Sequence, residues 1–160
     1  MGTTTNVLVG AAGIEIDGNP IGYTVDGANL TVSSDFADIK VEENVGTIIR
    51  KLTDQQVRVT FSMAEGTLAN LAEAIPGSVL AGTVLDIGGG TLQEVVIELT
   101  GEKPGGGARV ITLDKCNPTG EVGIPYKKGE ISVVPVTFSA LVADPVPPAT
   151  SGVFGTINDT

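Results

Sequence analysis

Residues 55–75 read QQVRVTFSMAEGTLANLAEAI, and the periodicity of this stretch decides the fold class. Val57, Val59, Phe61 and Met63 alternate with Gln56, Arg58, Thr60 and Ser62. A period of two places one apolar row on one face of a strand. Then the period changes. Leu68, Leu71, Ala72 and Ile75 recur at i, i+3, i+4 and i+7, the apolar stripe of a short helix. Pro76-Gly77 stops it. The spacing predicts a helix over about 67–75 that braces a sheet through Leu68 and Leu71. No other stretch has a comparable helical pattern, so a β protein with one short helix is expected.

Working outward, short alternating runs dominate. Ile14 and Ile16, then Ile21, Tyr23 and Val25, flank Asp17-Gly18-Asn19-Pro20, a strong turn signal. Ala28, Leu30 and Val32 alternate with polar residues, and residues 36–53 read as an extended, charged segment. Beyond the helix, 83–87 reads as a strand. Val95, Ile97 and Leu99 form a row, and 109–114 pairs back after a loop at 101–107. Residues 115–130 read as turns. Val134, Val136, Phe138, Ala140 and Val142 share a face of the last strand, and Pro135 on its other face favours an edge position. The tail from Asp144, DPVPPATSGVFGTINDT, reads as Pro-rich and extended. The expected fold is therefore mainly β: a sandwich or barrel-like domain over 1–143 with one short flanking helix, an extended arm and an extended C-terminal tail over 144–160.

Composition narrows the chemistry. Aromatics are 4% with no Trp, so Val, Ile, Leu and Ala must build the core. The chain has no histidine and one cysteine. This removes Ser-His-Asp and Cys-His catalysis, His-containing metal sites and any intrachain disulfide. Cys116 reads as a small structural residue. Gly88-Gly89-Gly90 and Lys103–Gly107 lack the helix start that a phosphate cradle needs, and read as turns. Asp35, Asp38, Glu42 and Glu43 fit no known calcium loop, and Glu94 and Glu98 read as a solvated strand face rather than a catalytic pair. No enzyme activity, metal or cofactor is expected. The N-terminus lacks the basic and apolar regions of a signal peptide, and no membrane anchor is expected.

The net charge is −10, from 19 acidic and 9 basic residues. Nine scattered cations offer no track for phosphate binding, since affinity for nucleic acid scales with paired cations. Arg50-Lys51 and Lys127-Lys128 read as salt-bridge partners between subunits in preference to phosphate contacts.

Two segments carry a family resemblance: KVEENVGTIIRKLTDQQVRVTFSMAEGTLANLAEAI over 40–75 and YKKGEISVVPVTFSALVADP over 126–145. A charged arm, a strand running through Met-Ala-Glu into a Leu-rich helix, and a Lys-Lys-Gly-Glu turn into a final strand resemble the major tail tube protein of long-tailed (siphovirus-type) bacteriophages. The hairpin around ELTGEKPGGGARVITL fits the same pattern. The resemblance implies a structural virion protein that self-assembles into hexameric rings stacked as a hollow tube. It also implies DNA passing through the lumen without tight binding, with tape-measure, tail terminator and baseplate or tip proteins as partners. The location implied is the virion tail, reached from the host cytoplasm. The arm and tail would join neighbours, the arm through Asp38, Lys40, Val41, Glu42, Glu43, Asn44, Val45, Ile48, Ile49, Arg50 and Lys51, becoming ordered on assembly. The alternatives are a tube protein of a related contractile injection machine and a monomeric β-sandwich decoration or binding module on a particle surface.

Overall fold

The computed structural model describes residues 12–42, 45–126, 128–143 and 153–160. Ten strands and one helix follow in the order β1 (Gly13–Ile16), β2 (Asn19–Pro20), β3 (Thr24–Ile39), β4 (Ile49–Met63), α1 (Leu68–Ala74), β5 (Val79–Ala81), β6 (Val84–Asp86), β7 (Val95–Glu102), β8 (Ala108–Pro118), β9 (Val134–Ala140) and β10 (Gly155–Asp159). The fold is mainly β and sandwich-like, with unclosed sheets and one short helix, in agreement with the expected class. Eight strands form one antiparallel sheet in the order β2-β1-β7-β8-β9-β4-β3, with β10 added to β8, while β5 and β6 form a separate two-stranded ribbon.

Strand β8 joins the two halves of the main sheet. On one edge its first part, Arg109 to Leu113, pairs with β10, and its last part, Cys116 to Pro118, pairs with β9. Its other edge pairs with β7, with a register shift between Val95 and Ile97. The handover falls at Asp114 and Lys115, whose backbone groups bond out to Phe154 and Leu141. A bulge at such a point bends and twists a strand, so one strand serves two layers. Residues 115–118, expected as turn, are thus strand. Asn117 is buried there, and its side-chain amide donates to the Gln93 carbonyl at 2.6 Å. The last residues of the tail, read as extended, form β10, a strand of the same sheet, clamped by a two-point Arg109–Asp159 pair at 2.6 and 2.9 Å. Gly155 permits this, because a Cβ there would run into the Thr112 carbonyl.

The core is a single cluster. Val57, Val59, Phe61 and Met63 of β4 and Val134, Val136, Phe138 and Ala140 of β9 come from one half; Ile14, Ile16, Val95, Ile97, Leu99, Leu113 and Cys116 come from the other. The rows of β1, β4, β7 and β9 obey period-two alternation, as a half-buried sheet requires, whereas in β8 the register shift places Leu113 and Cys116 three residues apart. Pro135 lies in a strand with neighbours on both sides, yet β8 reaches only residues 138–140, so β9 is an edge locally at Pro135. The lost donor therefore costs no ladder bond. Where the end strands β3 and β10 approach without pairing, the layers gape around a cavity of ≈ 280 Å³ bordered by Leu30, Val32, Ile111, Phe154 and Ile157.

The helix is where it was expected, but its buried face is rotated. Thr67 caps it, its hydroxyl accepting from the Asn70 N–H at 3.2 Å. Leu71 and Ala74 are buried, Ala72 and Ile75 are half-buried, and Leu68 is 39% exposed. Its carboxyl end is closed by Gln93, whose side-chain amide donates to the Ala72 and Ile75 carbonyls while its oxygen accepts from the Gly77 N–H. Leu68 is thus not the second brace that the stripe suggested. Leu71→Ala should cost about 2 kcal/mol, the low end of the range for core truncation, and Leu68→Ala no more than about 0.5 kcal/mol. Denaturant melts of the two variants beside the parent check this; equal losses would place Leu68 in the core after all.

Candidate self-association surface

The β3–β4 hairpin outlasts the domain it belongs to. The two strands pair from Thr24↔Met63 to Ile39↔Ile49, and only the part up to Val57 lies over the core. Directly opposed residues share a face, so the distal half can be read face by face. Val32, Phe36 and Leu52 continue the row that is buried further back. Ala37, Ile39, Ile49 and Lys51 lie on the reverse face. A register shift between Asp35 and Phe36 changes the parity of β4 at this point. Among the described residues, no layer covers either face: Phe36 is 57% exposed and Leu52 48%, with Ile39, Ile48 and Ile49 at similar values.

The tip is held by charge. The Arg50 guanidinium donates Nε to Asp38 Oδ1 at 2.7 Å and Nη2 to Oδ2 at 3.1 Å, and the Thr47 hydroxyl donates to the same carboxylate at 3.4 Å. The Arg50 bond holds the Asp38 carboxyl below its ordinary value and raises the guanidinium above its own. The depressed Asp38 value means that its contribution is present above the unfolded carboxylate pKa and is lost as pH falls through the folded one. Hydrogen exchange should therefore show the tip amides losing protection in acid before those of β9; loss in step with the core would mean that the pair does not hold the tip.

The structure brings together most of the sequence-predicted arm residues. Asp38 and Arg50 oppose each other, Ile49 opposes Ile39, and Lys51 opposes Ala37. Lys40, Val41, Glu42, Val45 and Ile48 lie around the exposed tip. Glu43, Asn44 and Lys127 lie outside the described residues, as does 144–152 of the tail. Arg50 is paired with Asp38 within its own chain. The arm, expected to order on assembly, pairs as a hairpin through residues 36–39 and 49–52. Phe36, Ile39 and Leu52, absent from the candidate set, belong to the same surface; their alternation with Asp35, Ala37 and Asp38 was the available signal.

A second exposed apolar surface is the β5–β6 ribbon. Leu80 and Leu85 share its inner face, with Leu85 packed on the core, while Val79, Ala81, Val84 and Asp86 share the outer one. Val79 is 45% exposed, Val84 56% and Ile87, just beyond, 79%. A third feature is a cleft of ≈ 740 Å³ over β3, β4 and β9, whose lining has one cation, Arg58, and one carboxylate, Asp54, among amides and hydroxyls. At the strand ends, β3 presents its whole outer edge without a partner among the described residues.

The other candidate sites resolve into structural roles. Burial pushes the Cys116 thiol up to about 12, with Asp114 adding to the shift, so it is a poor nucleophile. Residues 103–107 are the tight β7–β8 turn. Gly88–Gly90 is a bend folded back on Gly77, not a hairpin turn. Glu94 lies 3.3 Å from Lys115 and just outside β7, so it does not share a regular strand face with Glu98. No cluster of three or more metal-ligating side chains occurs among the described residues. Among them, no helix is long and apolar enough to cross a membrane. No protein-family model matches the chain, and no curated protein matches it in sequence.

Proposed function

We propose that this protein is a structural subunit that self-assembles into stacked rings forming a hollow tube, of the kind that conducts DNA in long bacteriophage tails. The observation that carries the reading is the distal β3–β4 hairpin, which holds apolar side chains out on both faces with no covering layer among the described residues. Exposed apolar area of this kind marks an interaction site. The edge of β3, unpaired among the described residues, adds backbone donors and acceptors that a neighbour can satisfy. The resemblance of 40–75 and 126–145 to tail tube proteins supplies the particular assembly. In this reading the subunit works in the virion tail after assembly in the host cytoplasm. Its partners are further copies of itself together with tape-measure, terminator and tip proteins.

The acidic balance suits a conduit. A net charge of −10 per chain sets a mean field that repels phosphate. The Arg58 of the polar cleft and the paired Arg50 give no continuous cationic track. DNA would slide past such a wall rather than adhere.

Light scattering over a concentration series, with negative-stain microscopy of the same samples, tests this. The expected result is concentration-dependent growth into rings or tubes without added metal or cofactor. A 16.2 kDa monomer at every concentration, including in salt that screens the acidic repulsion, overturns it in favour of a monomeric decoration module.

A further inference from the structure

The two exposed apolar ribbons of this molecule have matching designs and opposite charges. The reverse face of the arm holds Ala37, Ile39 and Ile49 around a single cation, Lys51. The outer face of the β5–β6 ribbon holds Val79, Ala81 and Val84 around a single anion, Asp86. In each ribbon the charged residue is two positions along the strand from an exposed aliphatic one, Ile49 in the arm and Val84 in the other. Neither Lys51 nor Asp86 has an ion-pair partner among the described residues. The surroundings reinforce the difference. Residues 59–102 contain six carboxylates and no Lys or Arg, whereas residues 38–52 balance Asp38, Glu42 and Glu43 with Lys40, Arg50 and Lys51.

We propose that the arm of one copy docks face to face on the β5–β6 ribbon of the next copy, with Lys51 of the arm meeting Asp86 of the ribbon. The inference rests on the self-association reading above and specifies its contact. Three pairings of the two surfaces are conceivable. Arm on arm brings Lys51 against its own copy, and ribbon on ribbon brings Asp86 against its own copy; like charges in a desolvated contact are strongly disfavoured. Arm on ribbon alone pairs opposite charges and buries two aliphatic faces. Two twisted ribbons packed this way sit about 10 Å apart, with side chains meeting between them. The pairing is heterologous, since different patches of identical chains meet. Repetition of a heterologous contact closes into rings or runs on as an open helix, and does not stop at a dimer.

Variants with one added cysteine test the contact in the full-length chain. Cys116 is fully buried and remains inert, while Ile49 and Val84 are both more than half exposed, so Ile49→Cys and Val84→Cys leave the fold intact. Mixed and oxidised, the two variants should form a disulfide-linked dimer that neither forms alone. The charge arm of the test uses Lys51→Glu and Asp86→Lys. Each alone should raise the concentration needed for assembly about tenfold, and the double variant should recover the parent value. Cross-linking of Ile49→Cys with itself overturns the proposal, as does a mixture that assembles without cross-linking, or a double variant no better than the singles. In those cases the parent still assembles and self-association stands. A parent that stays monomeric in light scattering removes the self-association reading and this contact with it.

Discussion

Phe138→Ala should lower the stability of the folded chain by about 4 kcal/mol, within the range for truncating a buried aromatic. Phe138 is fully buried, and its ring stacks on Phe61 with centroids 5.9 Å apart and planes 12° from parallel. Its position on β9 faces Val59 of β4 on one side and Pro118 of β8 on the other. It therefore sits where the two halves of the sheet meet. The chain has few alternatives for filling that space: Phe36, Tyr23 and Tyr126 are exposed, and there is no Trp. Folded domains hold only about 5–15 kcal/mol in total, so the loss is a large fraction of the whole. For a chain of this size the melting temperature should fall by roughly 8–16 °C. Calorimetry of Phe138→Ala beside Phe36→Ala checks the assignment, because the exposed Phe36 should shift the transition little. Equal shifts would mean that the arm, too, is part of the folding core.

The arm should show the opposite behaviour. Replacing both Phe36 and Leu52 by serine should leave the melting transition of the single chain nearly unchanged and cripple assembly. The two residues face each other across the hairpin beyond the last core layer, and each is about half exposed. Little burial is lost in the monomer. In the proposed tube, these would be the bulkiest apolar side chains on the forward face of the arm, and anchors of that kind carry about 2 kcal/mol or more of an interface. That corresponds to roughly a 30-fold weaker association per contact. A ring multiplies the deficit, since each subunit makes the contact on both sides. Scattering onset against protein concentration is the measurement. An onset within about twofold of the parent would show that this face stays wet in the assembly. A large fall in melting temperature would show instead that it packs within the chain.

Much of this was legible in residues 55–75. The alternation of Val57, Val59, Phe61 and Met63 and the switch to helical spacing at Leu68 follow from side-chain directions that local geometry imposes, period two in a strand and 3.6 in a helix. Strand 55–63, helix 67–75, the β7–β8 hairpin and a mainly β class could therefore be read without a structure. Local pattern also set the likeness to tail tube proteins.

Contacts between residues far apart in the chain decided the rest. Lys115-Cys116-Asn117-Pro118 reads as a turn because no apolar row announces it, yet β7 and β9 pair with it from both sides, and Gln93 satisfies the buried Asn117. The short run Gly155–Asp159 has no strand signature of its own; it is a strand because β8, more than forty residues earlier, offers a free edge and Arg109 offers Asp159 a partner. Leu68 shares a stripe with Leu71 on the helix, but the elements beneath α1 meet Leu71 and Ala74. Two turns of helix are too short for periodicity to choose among adjacent faces. The arm's exposure likewise depends on where the core ends. Composition along a strand states which residues are apolar, and only the position of the opposing layer states which of them are left for a partner.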